Sequence, residues 1–474
     1  MTILHYILIA LEVVLIFNLI IGVHELGHFL AAKWRGLKID RFAIWFGKPI
    51  WKKQVNGVEY VLGTIPFGGY VTLPQMATME AIEGKSDAPA ETLPNVAPRD
   101  KIIVAFAGPL FSFLLAVVFA ALVWAVGKPS SETDNSTMIG WVDPAGPAGR
   151  AGLLPGDTIV AVDGHLVKHF QPSSSLGDSV KWRIITSTGT NISISYLRDG
   201  KLATAFVTPT NPPTKWYERR ALRQILVDNA ERTVIGDIAS NSPAAAAGLR
   251  EGDEVVALDG LKIFNPRAVL SAEDTLSNQP NGRVAFTLRR GGQEFARSLA
   301  AVKPVQPPTA GPSFGILNYE ADTNVMLVHP DPLSQIASSA GQILSTLGAL
   351  FARHSEIGVQ QLGGAVMIGR VYYNLLQDDQ GWRRVLWFSV ILNVNLALLN
   401  LLPLPVLDGG HITLSLIEAV RRRPVSARIL EKIQSGFAAL LIAFMVYIAF
   451  FDTSDWIRSA RADRDMPVVF APQK

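Results

Sequence analysis

Cysteine is absent from all 474 residues, which excludes disulfides and any thiolate-ligated metal. Histidine is scarce at eight residues, so a metal bound through nitrogen has few positions to draw on. An excess of either charge is also missing. The 43 Lys and Arg against 40 Asp and Glu leave +3, and no basic stretch interleaved with aromatics points to a nucleic acid. No Lys or Arg precedes the first apolar run, from about Ile3 to Ala32, whereas Lys33, Arg35 and Lys38 follow it. A secretory signal peptide has the opposite asymmetry. The run is therefore expected to be kept as a transmembrane helix, with the N-terminus outside and the next loop in the cytoplasm. With 49% hydrophobic and 18% charged residues, the chain is too apolar for an ordinary soluble enzyme and too charged to be all membrane.

Inside that first run stands His24-Glu25-Leu26-Gly27-His28, an HExxH pattern. On a helix the i, i+4 spacing puts His24 and His28 on one face, where both imidazoles can hold one Zn²⁺ while Glu25 holds a water. A polar helix end would be the bland reading, but an ionisable group near a bilayer centre costs roughly 2.5 to 3.5 kcal/mol and is functional by default.

From Phe42 to Leu73 the pattern turns to β-type residues, with Asn56-Gly57 marking a hairpin. Its apolar load predicts a sheet that dips into the membrane part, where an open edge can pair with a substrate strand. Residues 76–100 read as a flexible loop. A second span covers about Ile102 to Val126, and its Ala107-Gly108-Pro109 is expected to serve a kink or a small-residue contact. Between about 128 and 310 lies an internal repeat: Pro147 to Gly164 recurs as Pro243 to Gly260, each copy carrying Ala-Gly-Leu, Gly-Asp and Asp-Gly, so two domains of one fold are expected. His165 and His169, also i, i+4, lack a helical pattern and read as surface residues. Leu333 to Phe351 carries no charge, but its apolar residues form one stripe opposite Ser334, Gln335, Ser338 and Ser339, as in an amphipathic helix.

The third span, from about Val385, holds Asn400-Leu401-Leu402-Pro403-Leu404-Pro405-Val406-Leu407-Asp408-Gly409-Gly410-His411. Prolines and glycines there break the helix at membrane depth, which requires protein or a water-filled cavity to satisfy the backbone. A carboxylate in such a place needs a partner, and a metal on two histidines lacks a ligand. Asp408 is favoured as the third ligand, with His411 as its rival. Arg421, Arg422, Arg423 and Arg428 put the next loop in the cytoplasm, before a fourth span from about Ile433 to Phe451.

The repeat closely resembles the PDZ modules of bacterial envelope proteases. HExxH in the first span, NxxPxPxLDG in a late span, a glycine-rich hairpin and the tandem modules, in this order, make nearly the whole chain resemble the site-2 proteases, and within them the regulator of sigma-E branch. The resemblance implies a polytopic α-helical membrane protein of four transmembrane helices, with a membrane-reentrant β-sheet and two α+β PDZ domains. It divides the chain at 1–33 (first span), 34–100 (sheet region), 101–127 (second span), 128–221 and 222–309 (PDZ domains 1 and 2), 310–383 (surface helices), 384–417 (third transmembrane segment), 432–452 (fourth span) and 453–474 (tail). It implies that His24, His28 and Asp408 bind zinc, that Glu25 is the catalytic acid/base, and that Asn400 with Pro403 and Pro405 holds an unwound substrate. The expected substrates are single-pass membrane proteins, such as a pre-trimmed anti-sigma factor or remnant signal peptides. The expected setting is a monomer among the lipids of a bacterial inner membrane, with its PDZ domains in the periplasm. Ser112, where many members have Asn, lies outside the expected metal set and bears on local packing. A PDZ scaffold would leave Glu25 between two histidines unexplained, and a zinc transporter would call for symmetric membrane halves that the sequence lacks.

Overall fold

The first apolar run forms one helix, α1 (Ile3–Arg35), and is followed by a four-stranded sheet, β1 (Arg41–Phe46), β2 (Trp51–Val55), β3 (Val58–Leu62) and β4 (Ile65–Thr72), in the order β2-β3-β1-β4. This is a computed structural model, described for residues 3–76, 96–131, 133–171, 177–276, 282–308, 310–320, 325–352, 355–378, 380–423, 427–462 and 468–471. Most of the loop expected at 76–100 lies outside the described residues. Contacts divide the chain into two compact units, Met1–Pro129 with Val328–Ile343 and Leu362–Thr453, and Ser130–Leu327 with Leu344–Gln361 and Ser454–Lys474.

The first unit holds the apolar helices, apart from the stretches of two of them that begin at Leu344 and Ser454. After the sheet come α2 (Pro98–Val126), α3 (Pro332–Phe351), α4 (Ala365–Leu376), α5 (Gly381–Asn400), α6 (Asp408–Arg421) and α7 (Ala427–Ala462). Among the described residues four helices are long and apolar enough to cross a membrane: α1, α2, α5 and α7. α1 and α2 run antiparallel, as three contacts along their length record: Arg35 with Asp100, His28 with Val104 and His24 with Ser112. They approach closely because Gly27 has no side chain; a Cβ there would lie 2.4 Å from the Ala107 carbonyl oxygen. α5 and α6 form one broken path antiparallel to α2. Arg383 reaches the Gly127 carbonyl at one end, Val390 and Val394 pack with Ala116, Ala120 and Val123, and Glu418 pairs with Lys101 at 2.9 Å at the other. The break is Leu401–Leu407, and Gly409 and Gly410 let α6 begin against it, since a Cβ on either would meet a carbonyl of the connection at 2.3 Å or less.

The sheet folds back along α1. Trp45 donates through Nε1 to Asn18 Oδ1 at 2.5 Å, and the Asn18 amide reaches the Pro66 carbonyl at 3.4 Å. Asn18 lies 17 residues from the Arg35 end, about 25 Å along the helix, so the sheet reaches well back along α1. The Leu333 to Phe351 stretch is helical as expected, but its polar face is not uniformly the wet one. Gln335 and Ser339 are buried, and Gln335 donates to the Ala120 carbonyl of α2 at 3.0 Å, while Leu333, Leu344 and Phe351 are exposed. An amide that can bond a neighbouring helix's carbonyl is a better inward residue there than a leucine that merely fills space.

The second unit contains the repeat as two PDZ-like β regions. In the first, a sheet runs Lys201–Val207, Ile192–Arg198, Thr158–Val162, His165–Leu166, and Val227–Asn229 pairs with Ile139–Val142. In the second, the order is Gln293–Leu299, Val284–Arg290, Glu254–Leu258, Val234–Ile238, Ile316–Glu320. The repeated Gly-Asp explains itself. Asp157 takes a bidentate pair from Arg198 at 2.7 Å and caps Leu154 N, and Asp253 does the same with Arg290, at 2.6 and 2.7 Å, and Arg250 N. The aspartate of each Asp-Gly accepts from a facing strand, Asp163 from Ser193 N and Asp259 from Ala285 N.

Candidate metal centre

The i, i+4 spacing on α1 places His24 and His28 side by side, with their Nε2 atoms 3.3 Å apart. α6 brings Asp408 to them from the far end of the chain: Oδ2 lies 3.2 Å from His24 Nε2 and Oδ1 3.3 Å from His28 Nε2. Asp408 is the first residue of its helix, where the backbone dipole favours a negative charge. All three side chains are largely buried. Among the described residues this is the only group of three or more His, Asp or Glu arranged to share a metal ion.

The outer nitrogens are already committed. His28 Nδ1 lies 2.8 Å from the Val104 carbonyl oxygen and His24 Nδ1 2.9 Å from Ser112 Oγ. A carbonyl only accepts, so His28 donates from Nδ1, and a neutral ring then turns its Nε2 lone pair toward the Asp408 carboxylate. A lone pair facing a carboxylate in a buried place is repulsive, and Asp408 Oδ2 has no hydrogen-bond partner there. A cation shared by the three groups resolves both problems, so the donor set fits a metal of the kind that nitrogen and carboxylate ligands select.

Two residues of α2 complete the seat. Gly108 backs onto the inner nitrogens, and a Cβ on it would stand 2.2 Å from His28 Nε2 and 2.8 Å from His24 Nε2. The expectation of a small-residue contact at Ala107-Gly108-Pro109 is met at Gly108, and because its neighbours are the two imidazoles the contact is more than packing. Ser112 is likewise more than local packing, since its hydroxyl orients His24. Sequence reasoning missed both roles, which are set by the α1–α2 crossing.

Glu25 and β4 close another side. The Val71 backbone N–H donates to Glu25, and a Cβ on Gly69 would lie 3.3 Å from Glu25 Cγ. Among the described residues β4 pairs only with β1, and its Gly69, Tyr70 and Val71 line this space. A cavity of about 310 Å³ is lined by His24, Glu25, His28, Asn400, Asp408 and His411 among others. Asn400 ends α5, while Pro403 and Pro405 lie in the connection and do not line the cavity wall. His411 shares the cavity but stands outside the three-ligand group. His165 is exposed, and neither it nor His169 joins a metal cluster.

The sequence profile of peptidase family M50 matches residues 12–444. The chain belongs to peptidase family M50. Similar M50-type proteins extend over nearly the same length. The "Regulator of sigma E protease" of Haemophilus influenzae is 28% identical over 448 residues, covering 91% of this chain and 96% of that protein. The "Regulator of sigma-E protease RseP" of Salmonella typhimurium is 27% identical over 461 residues, covering 92% and 96%. A Vibrio cholerae protein named "Putative zinc metalloprotease" is 27% identical over 457 residues, covering 92% and 96%. The M50 chain is thus a site-2 type membrane peptidase with four candidate spans.

Proposed function

We propose that this M50 peptidase is a zinc-dependent intramembrane endopeptidase that cleaves transmembrane segments of single-pass proteins. The observation that carries the reading is the convergence of His24, His28 and Asp408, with the outer nitrogens of both histidines already bonded. The names of the relatives point to the same metal. His24, His28 and Asp408 hold the ion and Glu25 is the acid/base. Bound zinc supplies Lewis-acid polarisation of a carbonyl and lowers the pKa of water. Glu25 takes the proton of the attacking water and returns it to the leaving amine. A helical substrate must first give up its own backbone bonds; the open edge of β4 offers replacements, and Asn400, placed in the cavity wall by the Pro403-Leu404-Pro405 break that follows it, holds the unwound stretch.

The substrates in this reading are pre-trimmed anti-sigma-like proteins or remnant signal peptides, as the sigma-E names of the relatives suggest. The protein acts in a bacterial inner membrane with its PDZ-like modules outside, an orientation supported by Lys33, Arg35 and Lys38 after α1. Glu25→Gln should keep zinc, measured by elemental analysis, while cleavage of a transmembrane peptide in proteoliposomes falls about 10²- to 10⁴-fold. His24→Ala and Asp408→Ala should lose the metal as well. Normal turnover by Glu25→Gln overturns the assignment.

A further inference from the structure

The two modules share a fold but differ at one helical position, buried in the first and half-buried in the second. Each module's helix, Val180–Thr186 in the first and Arg267–Leu276 in the second, carries a fully buried valine near its start, Val180 or Val269. One turn later on the same face the first has Ile184, packed in the core, and the second has Glu273. The Glu273 carboxylate reaches the turn that leads into strand Ile316–Glu320. Its Oε1 accepts from Phe314 N at 2.6 Å and from Ser313 Oγ at 2.9 Å, and Ser313 Oγ in turn accepts from Gly315 N at 2.9 Å.

That strand ends its sheet and pairs only with Val234–Ile238, so its outer edge is open among the described residues. An open edge strand, preceded by a turn with inward-facing N–H groups, is where an incoming chain end adds as a further strand and has its carboxylate caught. Here a carboxylate already sits on that turn. We propose that Glu273 is a built-in substitute for a peptide's C-terminal carboxylate, so that the end-capture site of the second module is filled by its own chain and takes a free chain end only when Glu273 leaves. At that position the first module has no such occupant among the described residues, because Ile184 supplies no acceptor. Burial pushes the Glu273 carboxyl above its usual range and the hydrogen bonds from Phe314 N and Ser313 pull it back, the balance expected of a carboxylate held by these donors rather than by solvent. The inference stands apart from the peptidase reading, since it concerns only the modules.

The test uses full-length protein in nanodiscs. The probe is a mixture of decapeptides randomised at their last three positions, supplied as free acids or as C-terminal amides. Amide hydrogen exchange at Phe314 locates the binding. In the native protein both mixtures should leave Phe314 exchange unchanged. In Glu273→Ile and Glu273→Ala, Phe314 should exchange at least tenfold faster, and the free acids, but not the amides, should restore protection. Protection of Phe314 by free acids in the native protein overturns the proposal without requiring that any variant fold. Folded variants in which the acids protect Phe314 no better than the amides overturn it as well.

Discussion

At Gly108 a hydrogen atom in place of a side chain leaves room between two imidazole nitrogens, and the residue carries no chemistry of its own. A Cβ 2.2 Å from His28 Nε2 cannot coexist with the observed ring, so Gly108→Ala should displace His28 and abolish stoichiometric zinc while leaving the helical circular dichroism unchanged. Ser112→Ala acts more gently. It frees the His24 ring to turn, and zinc affinity should fall roughly 10- to 100-fold, read by competition with a chelator of known strength. Ser112→Asn, which keeps a hydrogen-bonding group, should lose less. His24, Glu25 and His28 were legible in the sequence because one helix fixes their spacing. Asp408 was legible because an anion in an apolar segment demands a partner. Gly108 and Ser112 were not, because helical periodicity does not record which turn of α2 lies against which turn of α1.

Among the elements, the repeat could be read from its Gly-Asp and Asp-Gly pairs, and the structure gives each aspartate a backbone or arginine partner. Asp253 is the clearest case. Burial raises its carboxyl, but the Arg290 guanidinium and the Arg250 N–H outweigh this and hold it below the ordinary aspartate range. The unfolded chain titrates higher, near 3.9, so this stabilisation is complete above that value and is lost as pH falls through the lower folded value. Asp253→Asn should cost about 2 kcal/mol, less than a fully buried pair because Arg290 is partly exposed. Hydrogen exchange in Glu254–Leu258 and Val284–Arg290 should then quicken roughly 30-fold. α3 shows what a stripe of apolar residues leaves open. Its stripe predicted the helix, but a pattern of polar and apolar residues cannot show that a glutamine has a carbonyl to meet inside.

For the molecule as a whole, the spans were legible because charge-free windows of sufficient length are few, and the broken path of α5 and α6 because two prolines and a glycine pair interrupt it. The proposed orientation gives a direct expectation, as the chain has no native thiol. In sealed cells Trp216→Cys, at a position 87% exposed in the second unit, should label with an impermeant maleimide, and Arg422→Cys should label only after lysis. Labelling of both, or of Arg422→Cys alone, would contradict that orientation.

The centre also has a history within each molecule's synthesis. Its two nitrogens lie on the first helix to be made, and its carboxylate follows 380 residues after His28. At about 5 to 20 residues per second, roughly 20 to 80 seconds separate them. In the proposed centre Asp408 is the third ligand, so the order of the chain would keep the peptidase inert until most of it has been inserted.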